Sequence, residues 1–159
     1  MLLPSYASGS PFCSDVADRF FKQYLRTAHP RDTIMISERW LPNRMADLRV
    51  TIRAFRKTGA RVVVVGPAPE YEMALPRLEF ASLVRNDPAV VSRAQIAGIA
   101  GLDQAVGSVA AAEHARYVSL VRALCSGNNC RPYAAPNVPL MMDTDHLTAE
   151  GARLLSPFL

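Results

Sequence analysis

The stretch Arg61-Val62-Val63-Val64-Val65-Gly66 decides the fold, because its four successive valines leave no polar face along the chain. Such a run is typical of a parallel β-strand that is buried on both sides of its sheet. Residues 33–37 and 114–120 form two further apolar stretches with β-branched or aromatic members, and we predict both as strands. The centre of the molecule is therefore expected to be a parallel sheet.

Helical patterns separate the three predicted strands. Apolar residues recur at helical spacing over residues 45–57 and predict a helix that Gly59 ends. The alanine-rich residues 91–112 predict a long helix before the third strand, and Thr148 is expected to cap a final helix that runs to residue 155. Alternating strands and helices predict an α/β fold with right-handed crossovers, in a single domain over residues 1–159.

The composition excludes several classes of protein. Half of the 159 residues are hydrophobic and 20% are charged, which is unlike a disordered or low-complexity chain. The longest apolar run is too short to span a bilayer, and the start Met1-Leu2-Leu3-Pro4 lacks the features of a secretory signal. The net charge is +4, and 16 of the 18 cations are arginine, which suits planar anions. A GC-rich coding bias explains the same excess without a ligand.

Three cysteines make an odd number. Cys125 and Cys130 enclose a short polar turn, which suits a hairpin closed by a disulfide in an oxidising compartment. Cys13 then has no partner within the chain. The cysteine spacing does not match a zinc site, and the chain has three histidines, His29, His114 and His146. We therefore expect no metal and no other cofactor.

Open parallel sheets bind ligands beyond the carboxyl ends of their strands, which points to three loops, residues 38–43, 66–71 and 143–148. The middle loop begins a stretch that is predicted to be rigid because of Pro67, Pro69 and Pro76.

The last loop, Asp143-Thr144-Asp145-His146-Leu147-Thr148, places an Asp three residues before a His. There the carboxylate can hold the imidazole in one tautomer while the other nitrogen faces a nucleophile, and histidine suits general-base work near neutral pH. A polar loop that only caps the last helix explains the same residues.

The end of the chain resembles a known family. Asp143-Thr144-Asp145-His146-Leu147-Thr148-Ala149-Glu150-Gly151-Ala152 resembles the D-x-x-H-L-[ST]-x-x-G-A ending of SGNH (GDSL-like) hydrolases. Three upstream features resemble, in the same order, the SGNH domain fused to membrane acyltransferases that O-acetylate bacterial surface polysaccharides: the strand that ends in Arg39-Trp40, residues 64–70, and the pair Cys125 and Cys130. The resemblance covers most of the chain from about Cys13 onward.

The resemblance implies a three-layer, flavodoxin-like SGNH fold and a serine esterase or O-acyltransferase that acts on acetyl groups of cell-surface carbohydrate. His146 would be the general base, Asp143 its orienting carboxylate and Asp145 a surface or substrate-side neighbour, with attack through an acyl-serine intermediate. Arg39 would stabilise negative charge and Trp40 would stack on a sugar ring. A surface ion pair for Arg39 and packing for Trp40 are the structural alternatives.

The chain departs from the family at the nucleophile. The 159 residues contain no Gly-Asp-Ser block and no G-x-S-x-G elbow, and the Asn of a G-x-N-D block, an oxyanion donor, is absent after the first predicted strand. Ser10 precedes a proline and Ser108 lies in a predicted helix, so neither follows a strand. We therefore expect a truncated domain that lacks its first strand, is inactive alone and leaves residues 33–37 with an unpaired edge.

Two other functions fit the sequence. A catalytically inactive domain that binds carbohydrate or a partner protein would keep the cleft without the chemistry. Arg49, Arg53 and Arg56 align on one helix, as in an anion or nucleic-acid binder, but Asp47 is close and no aromatic platform accompanies them, so no nucleic-acid partner is expected.

The resemblance also implies where the chain acts. It implies a periplasmic or cell-surface location, a carbohydrate or acyl-ester substrate, and a membrane acyltransferase domain as partner. A complete chain without a signal would instead stay in the cytoplasm with its thiols reduced.

Overall fold

A computed structural model describes residue 19 and residues 21–127 and 129–159. Its central sheet contains three parallel strands in the order β1-β2-β3, which are Thr33–Ile36, Arg61–Val65 and Arg116–Val118. In the parallel pair of β1 and β2, Ile34 lies opposite Val62. The predicted α/β class and its parallel sheet are therefore confirmed.

One helix of the described residues precedes the sheet and the others alternate with its strands or come after them. Their bounds are residues 21–27 for α1, Met45–Arg56 for α2, Leu75–Arg85 for α3, Ala89–Arg93 for α4, Ile99–Ala112 for α5, Leu120–Leu124 for α6 and Ala149–Leu155 for α7. Two small antiparallel ladders join Cys125–Ser126 (β4) to Asn129–Cys130 (β5), and Tyr133–Ala135 (β6) to Val138–Pro139 (β7). Short 3-10 turns occupy Pro42–Arg44 and Ser156–Phe158.

The chain forms two compact units. The first takes up the chain as far as Val65 together with Gln104–Tyr117, and the second contains Gly66–Asp103 and Val118–Leu159. The predictions for Ser10 and Cys13 fall on residues that lie outside the described ones.

The first unit is built around the valine strand β2, which is buried from its second residue onward. Leu48, Ile52 and Phe55 recur on one side of α2 and are buried, because helical spacing brings them to the same face. The rings of Phe21 and Tyr24 pack against Phe55 with centroid distances of 5.3 and 5.8 Å. Among the described residues, β1 is the outermost strand of this sheet on its side.

Glycines mark two helix boundaries. Gly59 adopts φ +86°, a conformation that favours glycine, shortly after α2 ends, as predicted. The predicted long helix over residues 91–112 is wrong in its continuity, because the chain forms α4 and α5 with a break between them. Gly98, with φ +88°, lies in that break and turns the chain before α5 begins.

The stretch predicted as a rigid proline loop also contains α3, which the sequence analysis missed. Pro76 occupies the first turn of this helix, where a missing N–H group costs no intrahelical hydrogen bond. Asn86 ends α3 in the left-handed conformation, with φ +47°. Proline was therefore a sign of a helix start here and not of a loop alone.

Candidate active site

The loop predicted to carry the chemistry rests on buried residues in the second unit. Leu140 and Met141 are fully buried, and Met141 forms an antiparallel bridge with Leu147. Inside that bridge, the main-chain N–H of Met142 donates to the carbonyl of His146 at 2.8 Å. Residues 142–146 are therefore held as a closed loop whose two ends are hydrogen-bonded to each other.

Thr148 and Gly151 determine how the chain leaves this loop. The Thr148 Oγ1 accepts the Gly151 N–H at 3.0 Å as the N-cap of α7, as predicted, and donates to the Pro139 carbonyl at 2.8 Å. A Cβ atom added to Gly151 would lie 2.4 Å from the Leu140 carbonyl oxygen. Thr148 thus supplies hydrogen bonds next to the loop, and Gly151 leaves room for the Leu140 carbonyl.

Asp143 and His146 form a hydrogen-bonded pair. The His146 Nδ1 lies 2.9 Å from Oδ2 and 3.1 Å from Oδ1 of Asp143. The same carboxylate accepts the main-chain N–H groups of Asp145 at 3.0 Å and of His146 at 2.8 Å. Two main-chain donors therefore fix the carboxylate that orients the ring.

These contacts determine where the protons lie. The main-chain N–H of Asp145, and next that of His146, lower the pKa of the Asp143 carboxyl below its ordinary value, and the hydrogen bond and charge of the ring act in the same direction. A carboxylate can only accept, so Nδ1 of the neutral ring carries the proton and Nε2 keeps its lone pair. The His146 side chain is 71% exposed, which leaves the ring open to a reacting hydroxyl group.

A second stretch of chain anchors the loop. The main-chain N–H of Tyr71 donates to the Thr144 carbonyl at 3.0 Å, and that of Leu75, the first residue of α3, donates to the Asp143 carbonyl at 3.0 Å. Tyr71 and Leu75 are both buried. Two of the three predicted ligand loops therefore meet, although the sequence analysis missed these anchors because main-chain donors leave no pattern in a sequence.

Glu79 of α3 is a buried carboxyl group in the same unit. Its residue is 6% exposed, and its Oε1 has no hydrogen-bond partner among the described residues, nor has the hydroxyl of Tyr71. Burial raises the pKa of Glu79 to about 7. Burial, and then the charge of Glu79, raise the pKa of Tyr71 to about 12. No motif in the sequence marked either group.

Arg39 and Trp40 follow β1 in the first unit. Trp40 is 2% exposed, and its indole N–H donates to the Val65 carbonyl at 2.8 Å. A ring buried in this way presents no face to a sugar, so the structure contradicts the stacking role and favours the packing alternative. Arg39 is exposed and remains a candidate for contact with substrate.

Asp145 completes a cluster of three ligand-type groups. Its Oδ1 lies 3.3 Å from the His146 Nδ1 and accepts the Thr144 hydroxyl at 2.9 Å. Ligand atoms of Asp143, Asp145 and His146 all lie within 4.8 Å of one another. The Nδ1 atom already donates to Asp143, and Asp145 already accepts from Thr144, so we interpret the cluster as a hydrogen-bond network.

The described serines of the second unit include four whose hydroxyl groups donate to local acceptors: Ser82 to the Asp87 carbonyl, Ser92 to the Ala89 carbonyl, Ser119 to the Asp103 carboxylate and Ser156 to the Arg153 carbonyl. Ser108 of α5 donates to the Gln104 carbonyl, as expected for a serine within a helix. These hydroxyl groups serve local structure, and none of them is assigned as the nucleophile.

The predicted disulfide between Cys125 and Cys130 is present in the second unit. The two cysteines face each other in the ladder of β4 and β5, with their Cα atoms 3.9 Å apart. The bond closes the polar turn as expected. No helix in the described part of the chain is long and apolar enough to cross a membrane.

Comparison with known proteins connects this geometry to a family. The model of the SGNH domain (fused to AT3 domains) matches residues 2–159. The periplasmic domain of Salmonella ser. Paratyphi A lipopolysaccharide acetyltransferase has a similar structure, with a TM-score of 0.72 and 19% sequence identity. The match covers 89% of this chain and 59% of that one, so the chain spans about three fifths of the length of that structure. A search of curated proteins found no significant match.

Proposed function

Because the chain belongs to the SGNH domains of the type fused to AT3 domains, we propose that it handles O-acetyl groups of cell-surface carbohydrate by serine-type acyl transfer or hydrolysis. His146 serves as the general base and Asp143 as the carboxylate that orients it. The observation that carries the proposal is the 2.9 Å contact between the His146 Nδ1 and the Asp143 carboxylate, which directs the Nε2 lone pair away from the carboxylate.

The first half of the reaction transfers the acetyl group to a serine. The hydroxyl oxygen forms a bond to the acetyl carbon while its proton passes to the His146 Nε2. The tetrahedral intermediate then breaks its bond to the leaving group of the acetyl donor, which departs with the proton from Nε2. That donor is an acetylated sugar in hydrolysis, and in transfer it is the acetyl carrier presented by the membrane domain. In the second half, water or another sugar hydroxyl attacks the acyl-serine, and His146 again takes and returns a proton.

Asp143 contributes by remaining ionised throughout this cycle. Two main-chain N–H groups hold its carboxylate, so it does not rotate when the ring gains a proton. An imidazolium beside a fixed carboxylate is stabilised by an ion pair without further reorganisation, which is the role of the carboxylate in hydrolytic triads. The hydrogen bonds from Tyr71 and Leu75 keep the loop itself in place.

Arg39 is proposed to contact the substrate and to stabilise negative charge, as the family resemblance implies. Its guanidinium group suits an oxyanion. Trp40 is assigned a positioning role, because its indole N–H ties the segment after β1 to the end of β2.

Acetate release from a per-acetylated monosaccharide tests the proposal, because a free imidazole cleaves such alkyl esters poorly. The missing Gly-Asp-Ser block predicts that the 159-residue chain is inactive alone, whereas the Asp143–His146 pair predicts acetate release above background, which His146→Gln should abolish. The assay decides between these two predictions. His29→Gln removes another exposed imidazole and should keep the wild-type rate. Labelling with a fluorophosphonate, followed by mass spectrometry, should place the label on a serine in the wild-type chain.

The absence of a Gly-Asp-Ser block favours a second candidate, a carbohydrate-binding or partner-binding domain without chemistry. Equal acetate release from the wild-type chain and His146→Gln, with no labelled serine, would contradict the catalytic proposal and favour this candidate. Binding of acetylated oligosaccharide by both proteins would then support it directly.

The proposed place of action is the periplasm or the cell surface. The structurally similar protein is a periplasmic domain, and the disulfide fits an oxidising compartment. A membrane acyltransferase domain of the AT3 type is the proposed partner, since the matching family consists of domains fused to such domains. It would supply the acetyl group that this domain passes to carbohydrate.

A further inference from the structure

Three large apolar side chains of α3 are exposed together in the second unit. Phe80, Leu83 and Val84 are 68, 75 and 68% exposed, which makes them the three most exposed large apolar residues in the described part of the chain. They recur at a spacing of three and four residues, so they lie on one face of the helix. We call this face the α3 patch. Contiguous exposed apolar residues of this kind mark interaction sites.

The contacts of α3 with its own unit are made by a different face. Leu75, Leu78 and Glu79 also recur at a spacing of three and four residues, and all three are buried. The helix packs against α4 and β7 in the same unit. The core of the unit is therefore covered without the α3 patch, which leaves the patch available to another surface.

The exposed charges of α3 are both positive. Arg77 lies three residues before Phe80, and Arg85 is the last residue of the helix. Both arginines are exposed. Glu79, the one acidic residue of this helix, is buried. Each end of the α3 patch therefore has a cation beside it, and the helix exposes no carboxylate of its own.

Asp87, the first acidic residue after the helix, does not cancel this charge. The hydrogen bond from Arg93 lowers the pKa of the Asp87 carboxyl most, followed by that from the Ala89 N–H, and the charge of Arg85 acts in the same direction. Because Arg93 forms an ion pair with this carboxylate at 2.5 Å, the negative charge is already balanced.

We propose that the α3 patch binds the surface of a membrane that contains anionic phospholipids. A helix of this kind lies in the plane of the interface, with its apolar side chains among the acyl chains and its arginines at the headgroups. Anionic lipids attract such arginines. The same cations disfavour a second copy of the chain as the occupant, since two positively charged faces repel each other.

Membrane binding at this helix would hold the catalytic loop close to the lipid. The main-chain N–H of Leu75, at the start of α3, donates to the Asp143 carbonyl. Phe80 follows Leu75 by five residues, which corresponds to about 8 Å along the helix axis. This inference deepens the proposed function and rests on it in one respect, because a membrane acyltransferase as partner brings a lipid surface within reach.

Cosedimentation with vesicles tests the proposal on the 159-residue chain. We expect binding to vesicles of equal parts phosphatidylglycerol and phosphatidylcholine, and much weaker binding to phosphatidylcholine alone. Phe80→Ser should weaken binding about tenfold or more, and Val84→Ser about fivefold, since each removes apolar surface from the contact. Arg77→Gln should weaken it about fivefold, and added salt should weaken binding of the wild type.

The first unit offers a matched control for each kind of variant. Val50 is an exposed valine of α2 that lies between arginines, and Arg31 is an exposed arginine. Val50→Ser and Arg31→Gln should bind as the wild-type chain does, although the latter loses the same charge as Arg77→Gln. Thermal unfolding of each variant verifies that it is folded.

Several results would overturn the proposal. These are an absence of binding to the anionic vesicles, equal binding to both kinds of vesicle, and equal weakening by a patch variant and its control. A stable dimer that Phe80→Ser dissociates would assign the patch to a second copy instead. Vesicle binding needs no acyl chemistry, so its failure is distinguishable from a failure of the proposed function in the acetate-release assay.

Discussion

The main-chain N–H of Tyr71 donates to the carbonyl of Thr144 at 3.0 Å, and this bond joins the loop after β2 to the loop that carries the candidate catalytic pair. A second main-chain hydrogen bond, from the Leu75 N–H to the Asp143 carbonyl, connects the start of α3 to the same loop. The position of His146 thus depends on residues far away in the chain, and the orientation of its ring depends on a carboxylate three residues away. Local and long-range contacts act on the same loop.

Gly151→Ala should destabilise the domain. The added Cβ would lie 2.4 Å from the Leu140 carbonyl oxygen, which belongs to the main chain and cannot move without opening the base of the loop. We expect a loss of about 1 to 3 kcal/mol in the free energy of unfolding, measured by urea denaturation. Gly101→Ala in α5 is the control, because its Cβ would meet nothing within 4 Å, and it should gain about 0.5 to 1 kcal/mol. A larger loss from Gly101→Ala than from Gly151→Ala would refute this explanation.

Glu79 should make stability depend on pH. Its pKa is raised by burial from 4.5 to about 7, so the folded protein binds more protons than the unfolded chain between these values. The contribution of the neutral carboxyl to stability is therefore complete below about pH 4.5 and is lost as the pH rises to about 7. The total loss is roughly 3 kcal/mol.

Glu79→Gln should remove that dependence, because an amide does not titrate. Subtracting the unfolding free energies of Glu79→Gln from those of the wild type, from pH 4 to pH 8, isolates this group from the other carboxylates. Glu72→Gln, at an exposed position of the same unit, should leave the profile unchanged. If the difference in unfolding free energy between the wild type and Glu79→Gln does not change with pH, Glu79 is solvated in the protein.

Removing the disulfide should cost stability. The bond between Cys125 and Cys130 closes a loop of few residues, for which loop-closure entropy predicts a loss of about 2 kcal/mol. The double variant Cys125→Ser with Cys130→Ser should unfold at lower urea concentration and be insensitive to reductant. Cys13→Ser should unfold like the wild type and remain sensitive. If reductant leaves the unfolding of the wild type unchanged, the bond makes no contribution.

Local signals made part of this fold predictable. The valine run of β2, the apolar spacing of α2 and the Thr148 cap each depend on a few neighbouring residues, and the structure contains all three. The spacing of Asp143 and His146 likewise suffices to predict their contact, because one short loop contains both.

Burial set by distant residues could not be predicted in this way. Trp40 is buried through a hydrogen bond to Val65, 25 residues away, and nothing beside Trp40 in the sequence indicates that partner. On α3, Glu79 is buried together with Leu75 and Leu78, while Phe80 and Leu83 are exposed. Apolar spacing alone therefore predicts neither the burial of Glu79 nor the exposure of Phe80 and Leu83.

The tautomer of His146 is the most direct test of the central claim, that Asp143 prepares this ring as a general base. ¹⁵N NMR of the neutral ring distinguishes a proton on Nδ1 from one on Nε2. We predict the Nδ1–H form in the wild type, its loss in Asp143→Asn, whose amide can donate to Nδ1, and its retention in the control Asp145→Asn. A wild-type ring in the Nε2–H form would contradict the account, because Nε2 would then have no lone pair to accept the proton of the nucleophile.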